Sequence, residues 1–412
     1  MLEIGKLLVN VFNIGIGMPL NGAMIRIFAS GSSSIIAESF TDSSGKSSEL
    51  WLPCPSAEYS LNYVEGAPKP YAKYDLKITK DGFVPVSVLG LELLSGTTAI
   101  QNISMLPSGG HSYQTQTIMV PDHALYSGSM AKLPENEVKP LPPPSGQVVL
   151  DKPVIPEIIV VHNGLPNDSS AINYYVPFKD YIKNVACCEI YPTWPESTIK
   201  ANVLAIISFT LNRVFTEWYR GQGKNFTITN STAYDQAFLY GRNIFQEISA
   251  IADEFFTTYI TKPNILQPLF TQYCDGRQVQ CPSWMSQWGS KDLGDKGYSY
   301  LNILKNYYGQ NVYLEKAKKV SGIPASFPGH NLQTGSVGNS VKTIQSQLNV
   351  ISNSYPAIPK AIEDGIYGTK TGESVKAFQK IFDMPQSGIV DFSTWYKISH
   401  IYAAVKKLAE LA

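Results

Sequence analysis

A single glutamate, Glu189, lies in the apolar stretch Val185-Ala-Cys-Cys-Glu-Ile-Tyr. Its neighbours Val185, Ile190, Tyr191 and Trp194 are apolar or aromatic, and they would partly desolvate a carboxyl group. Desolvation raises the pKa of a carboxyl group, which can then keep its proton near neutral pH and act as a general acid. The alternative is a glutamate that lies on a helix surface or caps a helix.

The elements that must position Glu189 are predicted to form an α+β domain over residues 158–320. A strand at 158–162 is followed by amphipathic helices at 181–189, 196–219, 240–259 and 300–307. Ile199, Val203 and Ile206 recur at helical spacing, so the second helix is expected to form the core of this domain.

Residues 1–106 are predicted to form an all-β sandwich. Short β-branched or alternating runs at 6–12, 23–28, 34–40, 74–78 and 99–105 are separated by turns rich in Gly, Ser, Asn and Asp. The segments Thr41-Asp-Ser-Ser-Gly-Lys and Lys80-Asp-Gly-Phe resemble turns of the prealbumin-like sandwiches. Nothing in this region indicates catalysis.

The segment 107–157 is rich in proline, which favours extended backbone without a packed core. It is interpreted as a linker and a target for proteases. Residues 331–405 are predicted to form a small three-helix domain, in which Ser340 begins the first helix and Trp395 begins the last segment.

Composition excludes several classes of protein. Lys and Arg number 33 and Asp and Glu also number 33, so no net charge attracts nucleic acid. Neither a recognisable signal peptide nor an apolar run long enough to span a membrane is present. Of the five cysteines, Cys274 and Cys281 could form a disulfide, remain buried thiols or bind a metal.

The C-terminal pattern resembles the type 1 peptidoglycan-binding domain. It includes Asp364-Gly-Ile-Tyr-Gly-Thr-Lys-Thr, Val375-Lys-Ala-Phe-Gln and Gly388-Ile-Val-Asp followed by Thr394-Trp395. The resemblance implies binding to peptidoglycan glycan strands, and Tyr367, Phe378 and Trp395 are expected to anchor its core. The residues assigned to this wall-binding domain are Asp364, Tyr367, Thr371, Phe378 and Trp395.

The central region resembles the lytic transglycosylases of the stage II sporulation protein D family. The resemblance covers Val185-Ala-Cys-Cys-Glu189-Ile-Tyr-Pro and Met285-Ser-Gln-Trp-Gly-Ser. Tyr191-Pro-Thr-Trp-Pro-Glu, Thr229-Asn-Ser-Thr-Ala-Tyr-Asp-Gln and Gln272-Tyr-Cys-Asp-Gly-Arg are similar to the spore cortex-lytic enzymes, which share this domain order. A histidine-rich approach to Ser-Gln-Trp-Gly is replaced here by Val279-Gln-Cys-Pro-Ser-Trp-Met, so no metal or other cofactor is expected.

These resemblances imply a spore cortex-lytic enzyme associated with the cell wall. Glu189 would protonate the β-1,4 bond between N-acetylmuramic acid and N-acetylglucosamine and then, once ionised, accept the proton of the muramic 6-hydroxyl. They also imply a zymogen, whose partner is a protease that cuts the linker near Gln147 and Val148 during germination.

Further residues are candidates for substrate binding. Tyr234, Asp235 and Gln236 could bind acetamido groups, and the alternative is that they form a turn. Ser286, Gln287 and Trp288 could line a sugar groove, in which Trp288 is either a stacking residue or a core residue. Asp275 could instead be a turn residue. The full set is Tyr191, Trp194, Tyr234, Asp235, Gln236, Asp275, Ser286, Gln287 and Trp288.

Two other functions remain open at this point. The central fold could lack activity and serve as a wall-binding scaffold, or it could be a hydrolytic muramidase. The sequence leaves undecided whether muramic δ-lactam is required, which protease acts, and which oligomer forms.

Overall fold

The computed structural model describes residues 2–13, 18–108, 115–127, 130–140, 153–317, 328 and 330–405. The predicted cleavage region near Gln147 and Val148 lies outside these residues. Within them, no helix is both long enough and apolar enough to cross a membrane.

The N-terminal region contains two β-sheets. One has the order β3-β2-β5-β6-β8, and the other joins β7, β1 and β4. Alternate side chains such as Val9, Ile27 and Leu76 face the shared apolar core, as a half-buried strand requires. The elements are β1 (Leu2–Asn13), β2 (Met24–Ala29), β3 (Ile35–Phe40), β4 (Leu50–Pro55), α1 (Glu58–Leu61), β5 (Ala72–Thr79), β6 (Val86–Leu93), β7 (Thr98–Met105), β8 (Gln116–Met119) and α2 (Ala124–Ser127).

The central region is built around one buried helix. α4 (Glu196–Phe215) follows Pro195, whose fixed φ suits a helix start, and it buries most of its side chains on all sides. Around it lie β9 (Ile158–His162), β10 (Asn173–Pro177), α3 (Phe178–Glu189), β11 (Ile228–Thr229), β12 (Ile244–Phe245), α5 (Gln246–Phe255), β13 (Thr258–Thr261), β14 (Tyr273–Cys274), β15 (Met285–Ser286), α6 (Gln287–Asp295), α7 (Tyr300–Tyr308) and β16 (Tyr313–Lys316).

The sandwich and the central region share a buried interface. β12 pairs antiparallel with β7, so the central chain adds a short strand to an N-terminal sheet. Beside this pairing, Arg242 Nη2 lies 2.7 Å from Glu92 Oε2, and both side chains are buried. Asn243 Nδ2 also donates a hydrogen bond to the Glu92 carbonyl. The two regions are therefore held together by polar contacts as well as apolar packing.

The C-terminal domain consists of α8 (Asn339–Ile351), α9 (Thr369–Ile381) and α10 (Phe392–Val405). Gln345 and Gln379 hold equivalent turns, because each side-chain oxygen accepts a hydrogen bond from a glycine N–H, at Gly365 and Gly388. Both glycines have a positive φ, which this residue adopts most readily. An ion pair between Asp383 and Lys46 connects this domain to the sandwich.

Most elements predicted from periodicity are present, with shifted ends. The predicted strands of residues 1–106 and the strand 158–162 are confirmed. The helix predicted at 240–259 is shorter, because its first residues form a turn and β12 before α5 begins. Ser340 lies inside α8 and is not its N-cap; Gly338 holds that position.

Candidate functional site

Glu189 is the last residue of α3 and is 4% exposed. Apolar residues of α3 face the core and draw the end of the helix into the domain. Glu189 Oε1 accepts a hydrogen bond of 2.7 Å from the backbone N–H of Ala237. Glu189 Oε2 is buried and has no hydrogen-bond partner of standard geometry. The carboxyl group is therefore oriented through one oxygen and dry at the other.

Burial raises the pKa of Glu189 above its ordinary value. The charge of Lys132, the nearby hydroxyl group of Tyr273 and the N–H of Ala237 favour the ionised form, but they do not outweigh burial. Glu189 therefore holds its proton more tightly than a glutamate in water, which is the property required of a general acid.

Gln236 organises the other side of the carboxyl group. It is fully buried, and its side-chain nitrogen donates to the Tyr273 hydroxyl at 3.1 Å. Its side-chain oxygen accepts hydrogen bonds from the hydroxyl groups of Tyr181 and Thr210. The predicted role of Gln236 was substrate binding, whereas its polar atoms here are used to position Tyr273 beside Glu189.

Asp235 is also fully buried and internally bonded. It accepts hydrogen bonds from Arg213 Nε at 2.7 Å, from the Tyr219 hydroxyl at 2.7 Å and from the backbone of Thr229 at 2.9 Å. Tyr234 is half-buried, and its carbonyl accepts a hydrogen bond from Arg213. This block holds the domain together, because a buried carboxylate requires such partners.

Residues 130–140, here named the strap, lie in the segment predicted as a linker yet pack along the central domain. Leu133 N donates to the Ala233 carbonyl at 2.8 Å, and Phe270 N donates to the Glu137 carbonyl at 2.9 Å. The buried Lys132 ammonium group donates to the carbonyl groups of Asp235 and Thr232. Hydrogen bonds to the central domain, which proline-rich composition does not reveal, hold this irregular segment in place.

The strap places Lys132 next to the candidate acid. Its ammonium group lies 5.0 Å from the centre of the Tyr273 ring, and its charge acts directly on Glu189. An adjacent positive charge favours the ionised carboxylate. In this arrangement the charge of Lys132 opposes the protonated form of Glu189 that acid catalysis needs.

The predicted sugar-stacking residues form a buried aromatic cluster. The rings of Trp194 and Trp288 are 4.9 Å apart, and Tyr191 packs edge-on against both. The N-terminal region covers them: His123 lies 4.5 Å from the Tyr191 ring, and Tyr63 lies 5.7 Å from the Trp288 ring. Tyr191 and Trp288 therefore pack against the N-terminal region, and all three side chains are at most 3% exposed.

The remaining substrate-binding candidates lie around a turn and a helix start. Asp275 is buried and accepts backbone hydrogen bonds from the turn that follows it, the alternative role foreseen for it. Ser286 caps α6 by accepting a 2.9 Å hydrogen bond from Gly289 N, and Gln287 is buried. A disulfide joins Cys274 to Cys281 across this turn. Within the described residues, no group of three or more His, Cys, Asp or Glu side chains could hold a metal.

Four of the five residues assigned to the wall-binding domain are core residues. Tyr367, Thr371, Phe378 and Trp395 are at most 2% exposed, so they support the domain and do not offer a surface to glycan. Asp364 is exposed and accepts a hydrogen bond from Gln345. A surface hollow of about 420 Å³ lies nearby and is lined by Gln333, Thr334, Thr369, Gly372, Glu373, Lys376, Ser387, Gly388 and Ile389.

A second cavity, of about 570 Å³, lies between the central and C-terminal domains. Trp194 and Glu196 line it from the central domain, and Met384 and Thr394 line it from the C-terminal domain. Glu189 does not line this cavity. The cavity therefore does not reach the candidate acid.

Sequence reasoning missed Lys132, Arg213, Tyr273 and Ala237 as parts of the site. Tyr273 stands in the block Gln272-Tyr-Cys-Asp-Gly-Arg, in which only Asp275 had been assigned a role. Ala237 contributes only its backbone N–H, which no side-chain pattern reports. Lys132 is a single cation in a proline-rich segment, and nothing local connects it with Glu189.

Several solved structures are similar to about a quarter of the chain. A 5-hydroxyisourate hydrolase from Klebsiella pneumoniae is 16% identical with a TM-score of 0.16, over 26% of this chain and 96% of that chain. A cohesin–X-dockerin complex from Acetivibrio cellulolyticus is 13% identical with a TM-score of 0.17, over 27% and 64%. A chlorocatechol 1,2-dioxygenase from Pseudomonas putida is 16% identical with a TM-score of 0.17, over 26% and 60%.

No curated protein matches the chain significantly. Residues 337–398 match the family model described as "Putative peptidoglycan binding domain". The matched residues include α8, α9 and the start of α10, the three-helix unit whose core is formed by Tyr367, Phe378 and Trp395. The C-terminal domain is thus a peptidoglycan-binding domain, which associates this protein with the cell wall.

Proposed function

We propose that this protein is a spore cortex-lytic transglycosylase that is made as a zymogen and cleaves the glycan strands of peptidoglycan. The observation that carries the proposal is the buried carboxyl group of Glu189, whose pKa is raised by burial and whose orientation is set by Ala237 N. The peptidoglycan-binding domain supports the substrate class. The assignment to spore cortex rests on the resemblance of the sequence blocks around Glu189.

The proposed reaction needs one acid and no water. Glu189 donates its proton to the oxygen that links C1 of N-acetylmuramic acid to C4 of N-acetylglucosamine, and the C1–O bond breaks. The 6-hydroxyl oxygen of the same muramic residue then bonds to C1. Its proton passes to the Glu189 carboxylate, which restores the acid and leaves a 1,6-anhydro-muramic end.

The covered state of Glu189 supports the zymogen part of the proposal. A glycosidic oxygen cannot reach a carboxyl group that is 4% exposed, so part of the surrounding structure must move before the reaction, and the proposal assigns this movement to the strap. Lys132, which favours ionised Glu189, would leave together with it. A protease that cuts between residues 141 and 152 would free the C-terminal end of the strap from the central domain. The N-terminal region would then act as the prosegment.

The test is product analysis by mass spectrometry. The full chain and the full chain cut within residues 141–152 are each incubated with purified cortex and with vegetative peptidoglycan. The proposal expects 1,6-anhydro-muramic ends, formed faster by the cut protein. Ordinary reducing ends would indicate a hydrolytic muramidase. Unchanged glycan from the cut protein would indicate a wall-binding scaffold, a role with which the burial of Glu189 is also consistent.

A further inference from the structure

The strap is held by two glutamine side chains that each use both of their polar ends. Gln272 Oε1 accepts the Glu135 N–H at 2.9 Å, and Gln272 Nε2 donates to the Leu133 carbonyl at 2.8 Å. Gln267 Oε1 accepts the Lys139 N–H at 3.0 Å, and Gln267 Nε2 donates to the Lys139 carbonyl at 2.8 Å. Both glutamines are buried, so their hydrogen bonds to the backbone amide groups of the strap are shielded from solvent.

Arg213 forms an ion pair with Glu135 of the strap. Its two terminal nitrogens lie 3.0 and 2.7 Å from the Glu135 carboxylate oxygens, a bidentate arrangement. Its Nε is bound separately by Asp235. If the strap leaves, Asp235 still binds Arg213 Nε and balances its charge, while the two terminal nitrogens of Arg213 lose Glu135 as a partner.

Aromatic rings of the central domain contact the ammonium group of Lys139 in the strap. The Lys139 ammonium group lies 3.9 Å from the centre of the Phe270 ring and 4.6 Å from that of Trp218. Such ring faces also bind the apolar faces of sugars. Removing the strap would leave donors and acceptors that require water or another polar ligand as new partners.

We propose that the strap occupies a glycan-binding cleft and stands in for the substrate there. Gln267 and Gln272 would bind acetamido groups of the sugars, which present the same N–H and C=O groups as a peptide. Arg213 would bind a carboxylate of peptidoglycan, on a lactyl group or a stem peptide. This inference rests on the proposed function, and it assigns the substrate-binding residues of the same site.

The order of the strap's contacts along the central domain fits this assignment. The strap extends from Lys132, beside Glu189, through Glu135 on Arg213, to Lys139 on Gln267. A ligand that replaced the strap would therefore lie with one part at the candidate acid. An elongated polymer with repeated acetamido groups and carboxylates has the required shape and chemistry.

The test measures binding in full-length protein that carries Glu189→Gln, so that no ligand is consumed. Glu135→Pro is added to release the strap, because it removes both the carboxylate on Arg213 and the N–H on Gln272. Asn136→Pro is the matched control, since it stiffens the neighbouring exposed position and keeps both contacts. The probes are the tetramer of N-acetylglucosamine and the tetramer of glucosamine.

We expect Glu135→Pro to increase affinity for the acetylated tetramer by at least about 10-fold over the control, a gain of one or two net hydrogen bonds. Adding Gln272→Ala should remove the gain, and the glucosamine tetramer should show none. A disaccharide repeat with free lactyl carboxylates should bind more tightly than its methyl ester. Any binding to the C-terminal domain is common to all variants and cancels in the comparison.

Equal affinity of the Glu135→Pro and Asn136→Pro proteins, or a gain that survives Gln272→Ala, would overturn the inference. If Glu135→Pro does not fold, Glu135→Lys replaces it, because a cation against Arg213 repels the strap. If neither variant exposes the strap amides to hydrogen exchange, excess acetylated tetramer must accelerate their exchange in Glu189→Gln itself. Unchanged exchange there would also overturn the inference.

The outcome is distinguishable from failure of the proposed function. Tetramer binding that depends on Gln272, with no cleavage of glycan by the cut wild-type protein, would retain the cleft and reject the enzyme. Cleavage that depends on Glu189, with no gain on strap release, would retain the enzyme and reject this cleft.

Discussion

The ammonium group of Lys132 and the carboxyl group of Glu189 are both buried and act on each other electrostatically, although one belongs to the strap and the other to the end of α3. Burial disfavours the charge on each of them, and each partner opposes this effect on the other. Several consequences of the covered acid can be measured.

The first concerns the stability of the Glu189→Gln protein. The folded-state pKa of Glu189 is raised above its unfolded value, so its favourable contribution is complete below the unfolded pKa and is lost as pH rises through the folded pKa. Glutamine does not ionise. We therefore expect Glu189→Gln to gain stability relative to wild type between about pH 4 and neutral pH. Chemical denaturation at both pH values measures this, and a relative loss at neutral pH would contradict it.

The second concerns acid and the strap. Burial alone would raise the pKa of Glu135, but hydrogen bonds and charge from Arg213 and Lys139 lower it overall. The contribution of Glu135 is therefore present above the unfolded pKa, about 4.3, and is lost as pH falls through the folded pKa.

Below the folded-state pKa of Glu135, the strap amides should exchange about 10- to 100-fold faster relative to an unstructured reference, since a charged hydrogen bond contributes roughly 1.5–3 kcal/mol. Hydrogen exchange at pH 6 and at successively lower pH measures this. Glu135→Gln is the control and should remove most of the difference. Equal pH dependence in wild type and Glu135→Gln would show that another group controls the strap.

The third concerns the buried pair of Glu92 and Arg242. Glu92→Gln leaves the Arg242 charge without its carboxylate in the interface between sandwich and central domain. We expect the free energy of unfolding to fall by about 3–5 kcal/mol. The matched control is Glu38→Gln, which removes the exposed partner of Arg26 and should cost less than about 1 kcal/mol. Similar losses in both variants would contradict this account of the interface.

The fourth concerns the fate of the prosegment after cleavage. The pairing of β12 with β7 and the Glu92–Arg242 pair lie outside the strap and do not depend on an intact chain at residues 141–152. The two pieces should therefore co-elute in size-exclusion chromatography at micromolar concentration. Combining Glu92→Gln with Glu135→Pro should separate them. Separation of the wild-type pieces without denaturant would show that these contacts do not hold the prosegment.

The secondary structure was largely predictable, because strand and helix periodicities follow from local burial. The run Ile199, Val203, Ile206 predicted the helix that became the centre of the domain. Asp235 and Gln236 illustrate the limit. Their polarity suggested contact with substrate, but Arg213 and Tyr273, distant in sequence, satisfy them inside the core. Such pairing depends on tertiary packing, which one sequence does not display.

The strap shows the same limit from the opposite direction. Its prolines predicted extended backbone without a core of its own, and the described residues form neither helix nor strand. Its attachment depends on Gln267, Gln272 and Arg213. No local pattern couples these residues to Lys132 or Glu135, so the covered site could not be predicted from composition.

The most direct measurement is the yield of 1,6-anhydro-muramic ends from cortex treated with the cut protein and with its Glu189→Gln variant. If Glu189 transfers the proton, the substitution should lower the rate by roughly 10²–10⁴-fold while binding to peptidoglycan persists. The same rate of anhydro-product formation in both proteins would contradict the assignment of Glu189 as the catalytic acid.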